Sequence, residues 1–456
     1  MKKLFFVIIV IVSMFTLTSC LKEEKVPASG KTKITFMNAF AMQSNNLMGH
    51  IIDSFEKTYP MFEVEEISKP HLDSLEEEIL SKELSELPTI VQVTPEKVIN
   101  YLEKDLVLSL DKYLNNKMVT SEYLEYLDDA NWSCEDIIGY TNQDIEDFVE
   151  GFYQEGSLYG DSKMYSVPFL KTTEVLYYNK TFFTEHHQEL SSFGVDEEGN
   201  WNNPSWDDVM GVSEYYKNFT KELSSKKIGF MSDDLATLFI NLTHQYGSEF
   251  IGYENNKRAY LFNNELSKEA MSTLKDNYQD HLFDILLDNT YASDFFKNKQ
   301  CLMVTDTTSA ASYYANNKFE VGVTSYPQKD ETNKSVTISG SNLCLINKNN
   351  ELETLGGWLF LKWITNYDNS LYLSTHTNYL PIRKSVFEAT AFQELISKNE
   401  LMYEVKEIGF KQNNIFKTVI PFKNNVNIII EELVVDIMNG EMMDEAYVSA
   451  VEKCQK

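Results

Sequence analysis

Residues 171–174, Lys-Thr-Thr-Glu, place two short hydroxyl side chains between a basic and an acidic group. They separate a short extended piece at 165–168 from residues 175–178, whose β-branched and aromatic side chains predict a strand. A polar interruption between two apolar runs is predicted to be exposed at a sheet edge, a cleft or a chain crossing. The alternative interpretation of the segment is an ordinary loop.

The sequence shows no pattern that marks a catalytic or metal site. Acidic residues are so abundant that a carboxylate pair at the separation found in glycosidases could arise by chance, and no residue stands out as a nucleophile or an acid. The seven histidines show no metal spacing, and the adjacent His186 and His187 would point different ways on a helix. Neither a G-x-S-x-G motif nor a phosphate loop is present. We therefore expect a binding protein without a cofactor rather than an enzyme.

Length and composition favour a globular protein with two lobes. A chain of 456 residues is too long for one compact core, and 43% hydrophobic residues argue against disorder. The formal net charge of −29 opposes binding to nucleic acid or to an anionic bilayer surface. The cysteines after the first twenty residues show no C-x-x-C spacing, so neither a disulfide framework nor a zinc site is indicated. We expect buried thiols at Cys134, Cys301 and Cys344.

The N-terminus has the pattern of an export signal. Lys2 and Lys3 precede an apolar stretch at 4–17, which is too short for the ~20 residues that span a bilayer. The stretch ends in Leu-Thr-Ser-Cys, which resembles the bacterial lipobox, and Cys20 is then the acylated residue. We expect residues 1–20 to be a lipoprotein signal peptide and residues 21–31 a polar tether. More than one lipid chain on Cys20 would anchor the protein stably to the membrane.

The elements that must position a site alternate between strands and helices. Residues 33–38 predict a first strand, 47–59 a helix that Pro60 stops, and 62–67 a second strand. This β-α-β opening is expected to be right-handed. Residues 89–93 are apolar enough for a strand buried in a parallel sheet.

Four further segments of the chain predict helices. Residues 72–87 predict an acidic amphipathic helix, and 266–286 predict a pair of helical segments. Two terminal amphipathic helices are predicted at 426–438 and 443–454, with a helix stop at Asn439-Gly440 between them.

Several segments resemble the sugar-type extracellular solute-binding proteins (family 1) of ABC importers, including the glycerol-3-phosphate and maltodextrin binders. The resemblance rests on Tyr-Ser-Val-Pro-Phe at 165–169 and Leu-Tyr-Tyr-Asn-Lys at 176–180, and it extends with gaps from about residue 34 to the C-terminus. Residues 377–383 resemble the Gly-Tyr-Leu-Pro motif of the family, with Asn378 in place of glycine. Asn298 also replaces a glycine of the family, and asparagine is the next best residue for a turn with positive φ.

The resemblance implies an α/β fold of the two-lobed periplasmic-binding-protein type (type II). Each lobe would be a mostly parallel sheet flanked by helices, and three chain crossings would form a hinge. Lobe one would comprise residues 32–171 and 306–347. Lobe two would comprise residues 174–304 and 352–456. Residues 171–174 would then lie at a crossing that lines the ligand cleft.

The resemblance also implies a set of ligand contacts, among which the crossing residue Thr172 ranks first. For Glu174 the alternative interpretation is a solvated charge at the surface, and for Trp206 it is a role in packing. The contacts predicted in this way are Thr172, Thr173, Glu174, Phe40, Met42, Gln43, Thr94, Trp206, Tyr246, Gly340, Ser341 and Tyr379.

The function implied by the resemblance is delivery of a carbohydrate to the permease of an ABC importer by a lipid-anchored monomer at the cell surface or in the periplasm. Relatives that bind glycerol 3-phosphate have an aromatic where His71-Leu72 stand, and an arginine where residues 419–427 offer only Lys423. A phosphorylated ligand is therefore disfavoured and a neutral carbohydrate fits better. A polyol, a glycerol phosphate ester, a peptide, or a role as surface adhesin or sensor remain alternatives.

Overall fold

The computed structural model describes residues 30–40, 47–114, 139–223, 227–255, 257–286, 290–422 and 425–455. The predictions for the signal peptide, most of the tether, Cys20, Met42, Gln43 and Cys134 lie outside these residues. Within the ranges given, no helix has both the length and the apolar character needed to cross a membrane.

The strands form one continuous sheet and a separate hairpin. The sheet runs in the order β2-β1-β3-β11-β4-β9-β5-β8, β10 pairs with β4, β12 pairs with β11, and β6 pairs with β7. The strands are β1 (Thr32–Asn38), β2 (Phe62–Ser68), β3 (Ile90–Val93), β4 (Val167–Asn179), β5 (Ile228–Ser232), β6 (Ile251–Glu254), β7 (Lys257–Tyr260), β8 (Phe283–Asp284), β9 (Cys301–Thr307), β10 (Val321–Ser325), β11 (Val336–Leu345) and β12 (Phe416–Lys417).

Helices cover both faces of the sheet. They are α1 (Leu47–Thr58), α2 (Leu72–Ser81), α3 (Val98–Glu103), α4 (Asn142–Asp147), α5 (Glu150–Gln154), α6 (Lys180–Glu185), α7 (His187–Leu190), α8 (Trp206–Thr220), α9 (Leu235–Gln245), α10 (Glu265–Gln279), α11 (Ala292–Lys297), α12 (Ala311–Tyr314), α13 (Glu351–Ile364), α14 (Tyr367–His376), α15 (Lys384–Glu388), α16 (Thr390–Ile396), α17 (Glu400–Lys411), α18 (Val426–Met438) and α19 (Met443–Cys454).

Lobe one is built on β1, β2, β3, β11 and the first half of β4. The predicted β-α-β opening is confirmed, because β1 pairs in parallel with β2 across α1 and also with β3. On one face of this sheet, Phe36 of β1 and Phe55 of α1 both pack against Phe360 of α13. The other face packs β3 against α2 and α3. Since both faces are covered, β3 is buried along its whole length.

Lobe two is built on the second half of β4 with β9, β5, β8 and β10. Strand β5 is parallel to β8 and β9, whereas β4 runs antiparallel to β9 and β10. Helices α9, α18 and α19 bury one face, and α11, α12 and α17 bury the other. The terminal helices α18 and α19 have their predicted bounds, and Gly440 between them has a φ of 103°.

Strand β4 is the element that joins the lobes. Its pairing partner changes from β11, which meets Thr173, to β9, which meets Glu174. The prediction of an exposed polar interruption at 171–174 is wrong, because these residues lie inside one strand and are at most 4% exposed. The side chains of Lys171, Thr172 and Thr173 bond to other segments of the chain, so the strand continues through them.

Three of the four side chains of this segment have partners. Lys171 forms an ion pair with Glu155. The Thr172 hydroxyl lies 2.7 Å from that of Thr308, and the Thr173 hydroxyl donates to the carbonyl of Thr337 at 3.0 Å. Hydrogen bonding of this kind removes the cost of burying polar groups inside a sheet.

Strand β4 and residues 326–335 are two of the segments that pass between the lobes, since 326–335 lead from β10, which pairs with the second half of β4, to β11, which pairs with β3. The lobe boundaries differ from the predicted ones in two places. Residues 311–325 belong with lobe two, because β10 pairs with Val175 to Asn179 of β4 and Tyr314 stacks on Tyr177 at 4.1 Å. Helices α13 and α14 belong with lobe one, because their apolar residues share its core.

Three smaller predictions of local structure are wrong. Residues 266–286 hold one helix, α10, followed by the short strand β8 rather than two helices. Asn298 has a φ of −88°, and the left-handed residue of that turn is Lys299 with a φ of 57°. The helix predicted at 72–87 ends at Ser81, after which Leu84–Glu86 form a 3₁₀ turn.

Candidate binding cleft between the lobes

A cavity of about 280 Å³ opens between the two lobes, beside the crossing segments. Lobe one, including its strand β11, and lobe two both contribute to its walls. The lining residues are Thr94, Pro95, Glu96, Glu155, Asp234, Thr237, Ile240, Thr337, Ile338, Ser339, Gly340, Val419, Pro421, Phe422 and Asn427. Hydroxyls and carboxylates alternate here with apolar surface, as in clefts that bind small polar solutes.

The wall of lobe one begins where β3 ends. Thr94 follows the carboxyl end of this strand, and Pro95–Lys97 form a 3₁₀ turn behind it. Ligand crevices of α/β sheets lie at such strand ends. Burial raises the pKa of the neighbouring Glu96, and a hydrogen bond with the Thr94 hydroxyl opposes that rise.

Glu155 adds a second carboxylate to the same wall. It is 5% exposed and pairs with Lys171, whose side chain is fully buried. Burial raises the pKa of Glu155, and the ammonium of Lys171 opposes that rise. The positive charge of Lys171 is thus used within the protein to stabilise a buried anion.

The floor of the cleft is the middle of β11. Gly340 has a φ of 100° and lies opposite Lys171 in the sheet. A Cβ atom at this position would lie 2.1 Å from the carbonyl oxygen of Leu170. Only glycine fits so close to the neighbouring strand. The backbone of Ser339 and Gly340 is consequently open to a solute.

The wall of lobe two begins at the start of α9. Asp234 caps this helix, since its two carboxylate oxygens accept bonds from the backbone N–H of Thr237 at 2.9 Å and from its hydroxyl at 2.7 Å. Ile240 lies one turn further along the helix, and Pro421 and Phe422 complete an apolar surface beside it. Aromatic and aliphatic surface of this kind can pack against the C–H face of a sugar.

A group of buried carboxylates lies behind Asp234. Burial raises the pKa of Glu174 well above its ordinary range, and the charges of Asp306, Asp234 and Asp233 add to the rise. Burial and the charge of Asp233 raise the pKa of Asp306 to about 7, although the hydroxyl of Tyr314 donates to it at 2.7 Å. Like charges in a region of low dielectric cannot all ionise easily, so this group holds protons near neutral pH.

We expect Asp306→Asn to stabilise the protein above pH 7 relative to the wild type. The folded state keeps the Asp306 proton up to about pH 7, whereas the unfolded chain loses it near pH 4. The free energy of unfolding contributed by this group therefore falls as pH rises through that window, by at most about 4 kcal/mol. Urea denaturation of both proteins at pH 4, 5.5 and 8 measures the difference.

The free energy of unfolding must be compared between the variant and the wild type at each pH, because the contribution of His244 changes with pH in the opposite direction. Burial lowers the pKa of His244 to about 3, so its contribution to stability grows as pH rises through its ordinary range. The difference between Asp306→Asn and the wild type removes this contribution. Asp207→Asn, a change at an exposed carboxylate, serves as the control. A difference that is the same at all three pH values would contradict the prediction.

Of the predicted ligand contacts, the structure places two in the wall of the cleft, Thr94 and Gly340. Thr172, Thr173 and Glu174 lie buried in the crossing. Ser341 lies next to the floor but is 2% exposed, and its hydroxyl accepts a bond from the amide of Gln92 at 2.8 Å.

The aromatic residues predicted for the cleft lie elsewhere. Trp206 and Tyr246 line a separate cavity of about 210 Å³ on lobe two, where the ammonium of Lys329 lies 4.4 Å from the Tyr246 ring centroid. Phe40 is buried in lobe one against Phe169. Tyr379 borders a cavity of only about 10 Å³. None of these four is among the residues that line the cleft.

Sequence reasoning missed most of the charged and apolar lining. The Asp-x-x-Thr spacing at 234 and 237, directly after the strand at 228–232, is a helix-cap signal at a strand end and could have located the wall of lobe two. Glu155 and Phe422 have no comparable local signal. No group of His, Cys, Asp and Glu in the described part of the chain is arranged to hold a metal ion.

Two sheet-based lobes on either side of a cleft define the class of two-lobed periplasmic binding proteins. Residues 50–401 match the family described as bacterial extracellular solute-binding protein, and this chain belongs to that family.

Curated and solved relatives agree with this assignment. The sn-glycerol-3-phosphate-binding periplasmic protein UgpB of Shigella flexneri is 25% identical over 256 residues, which are 53% of this chain and 55% of the relative. The match therefore spans about half the length of that relative. UgpB from Mycobacterium tuberculosis in complex with glycerophosphocholine has a TM-score of 0.69 at 14% identity, over 93% of this chain and 98% of its own. The cyclic α-maltosyl-1,6-maltose binding protein from Arthrobacter globiformis has a TM-score of 0.68 at 18% identity, with the same coverage.

Proposed function

We propose that this protein is the substrate-binding component of an ABC importer and binds a carbohydrate in the cleft between its lobes. The observation that carries the proposal is the lining of the cleft, which combines hydroxyls, carboxylates and exposed backbone with the apolar surface of Phe422. Carboxylates and backbone groups accept the hydroxyl protons of a sugar, and the aromatic surface packs on its C–H face. Several relatives of the same fold are named for sugars that they bind. We propose no catalytic role.

The charge of the cleft argues against an anionic solute such as glycerol 3-phosphate. A phosphate site normally uses arginine or the free N–H groups of a helix start. At the start of α9 the backbone N–H and the hydroxyl of Thr237 are already bonded to Asp234. At the opposite wall the turn begins with Pro95, which has no N–H, and continues with Glu96. Both turns that face the cleft therefore present a carboxylate.

Binding is proposed to act through closure of the lobes. A solute that touches both walls of the cleft stabilises the closed form by its differential contacts, and the closed form docks on the permease. The two lobes are in contact through a hydrogen bond, since the hydroxyl of Tyr253 on β6 donates to the carbonyl of Leu158 at 3.4 Å. The ligand contacts that we assign are Thr94, Glu96, Glu155, Asp234, Thr237, Phe422 and the backbone of Ser339 and Gly340.

A thermal-shift panel of mono- and oligosaccharides tests the function. A solute at one hundred times its dissociation constant should raise the free energy of unfolding by about 2.7 kcal/mol. Glycerol 3-phosphate and a peptide mixture are included as the competing solutes. Stabilisation by the phosphate ester alone, or by no carbohydrate, would refute the proposal.

We further propose that the mature chain is a lipoprotein held at the cell surface or in the periplasm through Cys20. The support is the short apolar stretch at 4–17, followed by the Leu-Thr-Ser-Cys sequence. Family members of this kind work outside the cytoplasm, where a tether would keep the protein near its permease.

We expect Cys20→Ala to move most of the protein from the membrane fraction to the soluble fraction, because this variant lacks the thiol to which the lipid chains would be attached. Immunoblots of fractionated cells measure the change. Cys134→Ala is the matched control and should stay with the membrane. Retention of Cys20→Ala in the membrane pellet after an alkaline wash would contradict the lipoprotein assignment.

A further inference from the structure

A second cavity lies on lobe two and shares no lining residue with the cleft between the lobes. It has a volume of about 210 Å³ and is bounded by the start of α8, the end of α9, helix α10 and residues 329–330 of the crossing segment. The aliphatic part of its lining consists of Met210, Leu242, Ala270 and Leu274. The cavity has room for several water molecules, or for one small ring in their place.

Two partly exposed aromatic side chains, Trp206 and Tyr246, line this cavity, and each is held by a hydrogen bond. The indole N–H of Trp206 donates to the side-chain oxygen of Gln245 at 2.9 Å, and Gln245 is 1% exposed. The hydroxyl of Tyr246 donates to that of Thr273 at 3.1 Å, and the ammonium of Lys329 lies 4.4 Å from the Tyr246 ring centroid. Rings that are already fixed lose little conformational freedom when a ligand binds to them.

Polar side chains with unused hydrogen-bonding capacity accompany the two rings. The carboxylate of Asp207 and the amide of Asn277 line the cavity, and within the described part of the chain neither side chain makes a hydrogen bond or an ion pair. Asp330 adds a second carboxylate, one oxygen of which accepts the backbone N–H of Thr332 at 2.7 Å. Because Asp207 is exposed and Asn277 is half-buried, water satisfies both in the free protein, and a polar ligand can replace that water.

We propose that this cavity is a second carbohydrate-binding site, which takes a single neutral sugar unit against Trp206 and Tyr246. The C–H face of the sugar ring packs on the aromatic surface. Its hydroxyls donate to the carboxylate of Asp207 and bond the amide of Asn277. One ligand thereby uses both the apolar and the polar lining. The inference goes beyond the proposed function, because it does not require the cleft to bind a solute.

Ligands of other classes match this lining less well. An anion would meet the carboxylates of Asp207 and Asp330, and the cation that lines the cavity in the described structure, Lys329, already lies over the Tyr246 ring. A fully apolar ligand would displace water from Asp207 and Asn277 without replacing its hydrogen bonds. A neutral ring that carries hydroxyls avoids both penalties.

Fluorine NMR of the protein labelled with 5-fluorotryptophan detects occupation of the site. Trp206 is the tryptophan that lines this cavity in the described part of the chain, and the spectrum of Trp206→Phe identifies its resonance among the five. The labelled protein is titrated with the methyl glycosides of glucose, galactose and mannose, and with glycerol and indole as probes that are not sugars. At least one glycoside should shift the Trp206 resonance saturably in the millimolar range, and glycerol and indole should bind at least about tenfold more weakly.

Matched variants locate the response within the molecule. Asn277→Ala removes the amide from the cavity and should weaken binding of the glycoside about fivefold. Gln279→Ala removes an exposed amide from the same helix, outside the cavity, and should leave binding unchanged. Asp234→Asn alters the cleft, keeps a helix cap, and should leave the Trp206 response unchanged.

The outcomes separate this inference from the proposed function. A response that is weakened in Asn277→Ala but kept in Gln279→Ala and Asp234→Asn supports the second site, even if the cleft binds no sugar. A response that is lost in Asp234→Asn originates in the cleft, which overturns the second site and leaves the proposed function in place. Equal weakening in Asn277→Ala and Gln279→Ala, tighter binding of indole than of every glycoside, or no response to any glycoside also overturns it.

Discussion

Gly340→Ala is expected to destabilise the protein by about 3–6 kcal/mol and to abolish solute binding. The added Cβ would lie 2.1 Å from the carbonyl oxygen of Leu170, which is backbone of the neighbouring strand and cannot turn away. The φ of 100° at this residue adds strain for any L side chain. Relief requires β4 and β11 to separate where the lobes join, and the floor of the cleft would move with them.

Gly440→Ala is the matched control for this effect. Gly440 has nearly the same φ, 103°, but a Cβ there meets no atom within 4 Å. It should therefore show the backbone strain alone, about 1–2 kcal/mol. Urea denaturation followed by circular dichroism gives both free energies of unfolding, and calorimetry with a cognate solute gives the affinity. Equal losses of stability in the two variants would show that the contact with Leu170 is unimportant.

The opening and the end of the chain were predictable because their signals are local. Strand β1 alternates, α1 is followed by Pro60, and α18 is followed by Gly440. Each of these signals acts within a few residues of the boundary that it sets. The two-lobed class could be inferred from length together with the resemblance of a few segments, and the structure confirms it.

The crossing strand could not be predicted from local composition. Lys-Thr-Thr-Glu is a poor strand sequence, and on its own it indicates a loop or an exposed edge. Its burial depends on partners far along the chain: Thr308 lies 136 residues from Thr172, and Thr337 lies 164 residues from Thr173. The sequence of the segment contains no signal that identifies these partners. The same limit explains the placement of β10, which pairs with a strand more than one hundred residues earlier.

Of the two predicted contacts that line the cavity, Thr94 follows the end of a strand, whereas Gly340 lies in the middle of β11. Phe422 and Glu155 reach it because helices and crossings fold back over the lobes, which no pattern of neighbouring residues encodes. The aromatic side chains were a misleading signal, since Trp206 packs at 5.5 Å from Phe230, in lobe two. In a chain with 26 Tyr and 28 Phe, most rings are needed for packing.

Lys171→Met is expected to cost about 3–5 kcal/mol, because it leaves the carboxylate of Glu155 buried without its partner. The Lys171 side chain is fully buried and that of Glu155 is 7% exposed, so water cannot replace the lost charge. The backbone of Lys171, which accepts a bond from the N–H of Leu380 at 2.8 Å, is unaffected. The loss should be smaller at pH 5 than at pH 8, since protonation of Glu155 relieves the unpaired charge.

Two further variants establish that the cost comes from the unpaired charge. Lys163→Met removes a lysine from an exposed pair with Asp161, whose atoms lie 3.8 Å apart, and should cost less than about 1 kcal/mol. The double change Lys171→Met with Glu155→Gln leaves no buried charge, so it should recover part of the stability lost in the single variant. If the double variant is no more stable than Lys171→Met alone, the loss arises from packing of the lysine stem. The crossing would then be stabilised by packing, and the position of Glu155 in the cleft wall would not depend on the ion pair.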